Sequence, residues 1–173
     1  MPFDPAVVAA HADALHSQCW FDAAERPFSV GEEFALAELA PTIARVAQWG
    51  EARRIADDAR GNAAYDADAH EAALLKARAQ AAAGRDAVLE ALSAIVDRGS
   101  EIFFAAAERA LARAGLRDDE LSRVAAGAAA EAVYRAALAD AVTGREHRFV
   151  RVGACFAAGR WPLARIGTTL YVL

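Results

Sequence analysis

A chain of 173 residues, 56 % hydrophobic and carrying a net charge of −5, is long enough to bury a core without disulfides or a structural metal. Its acidic balance argues against bulk nucleic-acid binding, and no apolar run is long enough to cross a membrane. Alanine supplies 49 of the residues, and because it is the best helix former and leaves little side chain between neighbours, the composition predicts closely approaching helices.

Asp4-Pro5 reads as an N-cap followed by proline at the first helical position, opening a helix to about Gln18. The helix runs into an apolar knot, Cys19-Trp20-Phe21, and Pro27 breaks the pattern. Ser29-Val30-Gly31-Glu32 is a capping box, and the helix it starts has Leu36, Leu39, Ile43 and Val46 as a buried stripe. Pro41 is expected to kink or restart that helix, whose register continues through Ile55 to a stop at Gly61-Asn62. The stretch from Ala63 to Ala83 is helical but has only Leu74 and Leu75 as large aliphatic anchors.

After Gly84, the positions Val88, Leu92, Ile95, Gly99, Ile102 and Ala106 step by threes and fours, the strongest periodic signal in the chain. Gly99 either permits a close helix crossing or gives way to a new start capped by Ser100. Gly115 ends the element, and Asp118-Asp119 opens a helix through Leu121, Val124, Ala128, Tyr134 and Leu138 to Gly144. A last helix spans Glu146 to Ala158, with Phe149, Val152 and Phe156 in a narrow arc. The β-branched and aromatic residues around Gly167 predict two strands, an antiparallel hairpin that must pack on the bundle or pair with another chain. The expected fold is one all-α domain over residues 1–173: five to seven helices over about 4–158, then a hairpin over about 161–173.

Two polar clusters carry candidate chemistry. Asp66 and His70 are four apart in an acidic stretch with Asp57, Asp58, Asp68 and Glu71, so on a helix they share a face and offer half of a divalent-metal site. No Glu-x-x-His pair completes it, and a solvated first turn is the simpler account; no other cofactor is expected. From Thr143 onward, five arginines against one glutamate leave the tail near +4 and the remainder near −9. Arg145, Arg148, Arg151, Arg160 and Trp161 could therefore meet an acidic partner or nucleic acid, but the matching excess on the body favours pairing within the chain.

The remaining candidates weigh less. His11 and His16 are five apart and do not align on one helix face, and His16 three residues before Cys19 is a weak case for an activated thiol. Trp49, Arg53 and Arg54 could hold an anion, against an ordinary Arg53–Asp57 helix pair. The serines lack a nucleophile-elbow context. Cys19 and Cys155 match no metal-ligand spacing, which favours free thiols in a cytoplasmic chain, and Met1-Pro2-Phe3-Asp4-Pro5 has no basic export signal.

No trusted catalytic motif is present. The leading expectation is a non-enzymatic interaction protein that self-associates or binds a protein partner through an alanine-lined helix face or the hairpin. The alternatives are a small-molecule or metal-binding bundle, in one version an enzyme, with its pocket near Tyr65, Asp66, His70 and the tryptophans, and a binder of an acidic partner or nucleic acid through the basic tail.

Overall fold

The computed structural model describes residues 2–59 and 63–173. Among these the chain is mostly helical, with seven α-helices and one small sheet: α1 (Pro5–Ala14), α2 (Val30–Ala37), α3 (Trp49–Ala59), α4 (Ala63–Ala83), α5 (Arg85–Arg113), α6 (Asp119–Thr143) and α7 (Arg148–Ala157). The strands are β1 (Thr42–Arg45), β2 (Pro162–Ile166) and β3 (Thr169–Val172). None of these helices is long and apolar enough to cross a membrane.

The helix starts follow their local chemistry. Asp4 accepts a hydrogen bond from the Ala6 amide, with Pro5 at the first turn. The predicted capping box forms in full: Ser29 Oγ accepts from Glu32 N at 3.2 Å, and Glu32 Oε2 accepts from Ser29 N at 2.8 Å. Asp118 caps α6 through Leu121 N. At the end of α5, Leu116 N donates to Leu111 O and Gly115 N to Ala112 O. Gly115 is left-handed there, at φ +77°, which closes the helix in a Schellman arrangement.

α6 is the axis of the fold and packs against α1, α4, α5 and α7. Its segment from Ala136 to Val142 is buried on every side, as expected of a helix that is apolar all round. Small residues make the crossing with α7 possible: a Cβ built on Gly153 would lie 2.7 Å from Ala136 Cβ. Gly99 lies inside an unbroken α5, so Ser100 starts no new helix; a Cβ there would come within 2.5 Å of the Phe103 ring. The glycine therefore seats an aromatic ring of its own helix, where a crossing with a second helix was the expectation.

The knot at residues 19–21 becomes the aromatic centre of the core. Phe21 takes a left-handed backbone, φ +61°, which sends its ring among Trp49, Phe156 and Trp161 at centroid distances of 5.7, 6.3 and 6.0 Å. Backbone bonds from Cys19 N to Ala157 O and from Ala23 N to Gly159 O tie this segment to the end of α7.

The sheet corrects one expectation. Residues 42–45 form a strand where the apolar spacing predicted a helix running through Ile43 and Val46; α2 stops at Ala37. Pro41 has no donor and disfavours helical backbone at the residue before it, while Thr42 and Ile43 are β-branched. The hairpin supplies a partner: β3 is central, paired antiparallel with β2 and parallel with β1, with Ile43 opposite Leu170 and Arg45 opposite Val172. A small second core of Leu36, Ala40, Leu170 and Val172 sits between α2 and the sheet. The predicted stop at Gly61-Asn62 lies outside the described residues.

Candidate functional site

The pocket-facing stripe of α6 reads Glu120, Arg123, Val124, Gly127, Ala128, Glu131, Ala132 and Arg135, a helical succession of threes and fours with charged residues at both ends and small ones in the middle. Because Gly127, Ala128 and Ala132 project almost nothing, the space between α6 and its neighbours stays open. The result is a cavity of about 570 Å³. Its other walls are apolar: Ala56 and Ala59 from α3, Phe149, Val152 and Phe156 from α7, Trp161, and Leu163 from β2. A Cβ built on Gly127 would meet nothing within 4 Å.

One end of the cavity is polar. Arg135 Nη2 donates to Glu131 at 2.5 Å, and its guanidinium sits between the rings of Tyr65 and Phe149, 6.0 and 5.7 Å from their centroids. Asp68 Oδ1 is shut off from solvent and takes no well-directed hydrogen bond, yet Arg148 Nη2 lies 2.7 Å away as a countercharge. Arg148 also donates through Nε to Glu71 at 3.0 Å, and His147 Nε2 lies 3.0 Å from the other Glu71 oxygen. Burial works to raise the Glu71 carboxyl, but the hydrogen bonds and charge of Arg148, with His147, outweigh it and hold Glu71 below the usual carboxylate range.

The two polar clusters of the sequence thus meet through Arg148 of the tail, with Asp68 and Glu71 in place of Asp66 and His70. Asp66 and His70 are exposed on α4, and among the described residues no group of three or more His, Cys, Asp or Glu is arranged to hold a metal ion. Their neighbours Asp68 and Glu71 face the tail arginines. Arg151 lies 3.5 Å from Glu38 and 3.2 Å from Glu146; Arg145 is exposed. Arg53 reaches Glu120 on α6 at 2.7 Å, and Arg54 pairs with Asp58 at 3.6 Å.

Arg160 and Trp161, weighed above as partner-facing residues against pairing within the chain, are 2 % and 1 % exposed, so neither is open to a partner. Arg160 satisfies all five of its N–H groups inside the fold. Nε and Nη2 fork onto Glu32 at 2.8 and 3.0 Å, Nη1 donates to the carbonyls of Ala23 and Arg26 at 2.6 and 2.7 Å, and Nη2 also reaches Pro27 O at 3.0 Å. The hydrogen bonds from Arg160, opposed by burial and reinforced by Ser29, bring the Glu32 carboxyl down to about 2. Glu32 therefore does two jobs, capping α2 and holding the buried guanidinium.

A second cleft of about 450 Å³ lies between α1, α6 and α7. In it His11 Nε2 is 3.0 Å from Asp140 Oδ2 across 129 positions of sequence. Helix spacing gives no hint of this pair, although a lone acid inside the apolar run Ala136–Val142 signals a buried carboxylate that needs a partner. The cysteines are free: Cys19 is exposed, and burial, then the nearby Glu32, pushes the Cys155 thiol up to about 11. His16 and Cys19 are both exposed, and Cys19 lies beyond the short 3₁₀ turn Leu15–Ser17, so no helix aligns them. Comparison of the chain with known protein families, with curated proteins and with solved structures finds no match.

Proposed function

We propose that this protein is a helical bundle that binds a small organic molecule in the cavity between α3, α4, α6, α7 and β2. The observation that carries the reading is the cavity itself. A volume of about 570 Å³ falls within the range of small-molecule sites, and its apolar walls with a few convergent polar groups are what such sites use for affinity and orientation. Tyr65, immediately before Asp66 on α4, stands at its polar end, within the region where the sequence suggested a pocket.

The reading is tested with the neutral fluorophore N-phenyl-1-naphthylamine and the variant Gly127→Phe. Wild-type protein is expected to bind the dye at a single saturable site. The variant, whose ring occupies the open space above Gly127, is expected to lose it while keeping its helical circular dichroism. Dye binding that survives in the variant, or none in the wild type, overturns the assignment.

A second reading rests on α2, where Val30 and Phe34, one turn apart, are 85 % and 74 % exposed. Such a pair on a helix favours self-association over solvation. It predicts a concentration-dependent dimer in sedimentation that Phe34→Glu abolishes; a monomer throughout refutes it.

A further inference from the structure

From the donors and acceptors around the α6 cavity, we infer that its ligand is a singly charged organic anion, a carboxylate or sulfonate on an aromatic or alicyclic body; this deepens the small-molecule reading above and rests on it. Each carboxylate that lines the cavity already holds an arginine at close range. Glu120 is 2.7 Å from Arg53, Glu131 is 2.5 Å from Arg135, and Asp68 is 2.7 Å from Arg148. Of these oxygens Asp68 Oδ1 alone is buried without a directed hydrogen bond, and it already has two guanidinium groups, Arg148 and Arg165, within 4 Å as countercharges, which leaves little to gain from a further cation.

The cations are not balanced in the same way. Arg135 is committed to Glu131, but Arg123 has no ion-pair or hydrogen-bond partner among the described residues, and Arg165 comes no nearer than 3.8 Å to Asp68. Two guanidinium forks, one from α6 and one from β2, thus line the cavity with N–H donors to offer, and a guanidinium fork matches the geometry of a carboxylate or sulfonate. The apolar walls fix the rest of the ligand. A body that presents rings or methylenes to Phe149, Val152 and Trp161 gains from leaving water, which a bare inorganic anion cannot do. The chain's net charge of −5 disfavours a multiply charged anion, so a single charge is the one proposed.

The experiment compares 8-anilinonaphthalene-1-sulfonate with N-phenyl-1-naphthylamine, two fluorophores of similar body that differ in the sulfonate, titrated into the full-length wild-type protein, Gly127→Phe and the double variant Arg123→Gln/Arg165→Gln. The sulfonate dye is expected to bind more tightly than the neutral one to wild type. The double variant should weaken the sulfonate dye about tenfold or more, the scale of one lost charge-assisted hydrogen bond, and leave the neutral dye within about twofold. If both dyes bind wild type equally, or the double variant loses neither dye or both alike, the anion assignment falls while the cavity reading stands. If Gly127→Phe leaves both dyes bound, the cavity reading falls and takes this one with it.

Discussion

Replacing Arg160 with methionine tests the account of the fold at its most concentrated point. The guanidinium is 2 % exposed and serves Glu32 and the carbonyls of Ala23, Arg26 and Pro27. These acceptors span the loop between the aromatic knot and α2 and the first turn of α2 itself, so Arg160, from the end of α7, clamps that loop onto the helix, with Arg45 donating to the Glu25 and Arg26 carbonyls beside it. Methionine preserves much of the apolar stem but removes every donor. Removing one partner of a buried ion pair costs about 3–5 kcal/mol because the other charge is stranded. Water can reach Glu32, whose side chain is 23 % exposed, so the lower half of that range applies to the carboxylate. Of the three carbonyls, that of Ala23 keeps the Arg26 amide and that of Arg26 keeps Arg45 Nε, so the Pro27 carbonyl is the one that loses its donor and adds about 1 kcal/mol. The expected loss is about 4–5 kcal/mol, a large share of the roughly 5–15 kcal/mol that a domain has available.

The assay is urea unfolding followed by circular dichroism, in which a slope of about 2 kcal/mol per molar places the Arg160→Met midpoint about 2 M below wild type. Glu32→Gln serves as the milder variant and carries the pH test. A carboxyl held at about 2 against its ordinary 4.5 contributes stability that is fully present above pH 4.5 and is lost as pH falls toward 2. The shift corresponds to at most about 3 kcal/mol, and solvent screening brings it to about 2 kcal/mol. Wild type should lose that amount between pH 5 and pH 2 relative to Glu32→Gln. An Arg160→Met cost under about 1 kcal/mol, or parallel pH profiles for wild type and Glu32→Gln, would refute the reasoning.

Gly127→Ala should stabilise the protein by about 0.5–1 kcal/mol, raising the melting temperature by about 2–3 °C, because the site has helical backbone and open space for a Cβ. Gly159→Ala should cost about 3 kcal/mol or more by the same measurement, since that residue has φ +91° and a Cβ there would lie 2.6 Å from Ala23 N. Native protein at pH 8 should show one fast thiol to a disulfide reagent, Cys19, and a second only on denaturation, because Cys155 is held at about 11; two fast thiols would contradict the packing of α7. His11→Leu should destabilise by about 1–3 kcal/mol by leaving Asp140 buried without its partner, and Asp140→Asn in the same background should recover part of it.

The helices were legible where capping chemistry and apolar period agreed. Ser29 and Glu32, Asp118, Gly115, and the stripe from Val88 to Ala106 each carry their own local instruction, and each did what it specified. Residues 42–46 misled because Leu36, Leu39, Ile43 and Val46 fit helical spacing equally well. Only the proline between them and a distant strand, 169–172, decide against it, and pairing between segments more than 120 positions apart leaves no local trace. The site was legible in part. Tyr65 lines the cavity, but Asp66 and His70 point to water, since a four-residue spacing says that two side chains share a face without saying which face is covered. Arg160 stayed open between a partner and this chain's own acids for a related reason: its five acceptors, all from residues 23–32, are brought to it only by tertiary structure.

The alanine and glycine of α6 have opposite consequences on its two sides. Toward α7, Ala136 opposes Gly153 so closely that no larger residue fits either position, and the small side chains bring the helices together. Toward α3 and β2, Gly127 and Ala128 are equally small, but a Cβ at Gly127 would meet nothing within 4 Å, and the same lack of side chain leaves a cavity. Smallness therefore specifies contact only when a second surface can close on it. Enlarging residues on the two faces separates these effects: Gly153→Ala should destabilise the protein by about 1–3 kcal/mol through overpacking, whereas Gly127→Phe should leave unfolding within about 1 kcal/mol of wild type while abolishing dye binding. Equal destabilisation by the two would mean that the stripe at Gly127 is packed after all, and that α6 has no open face.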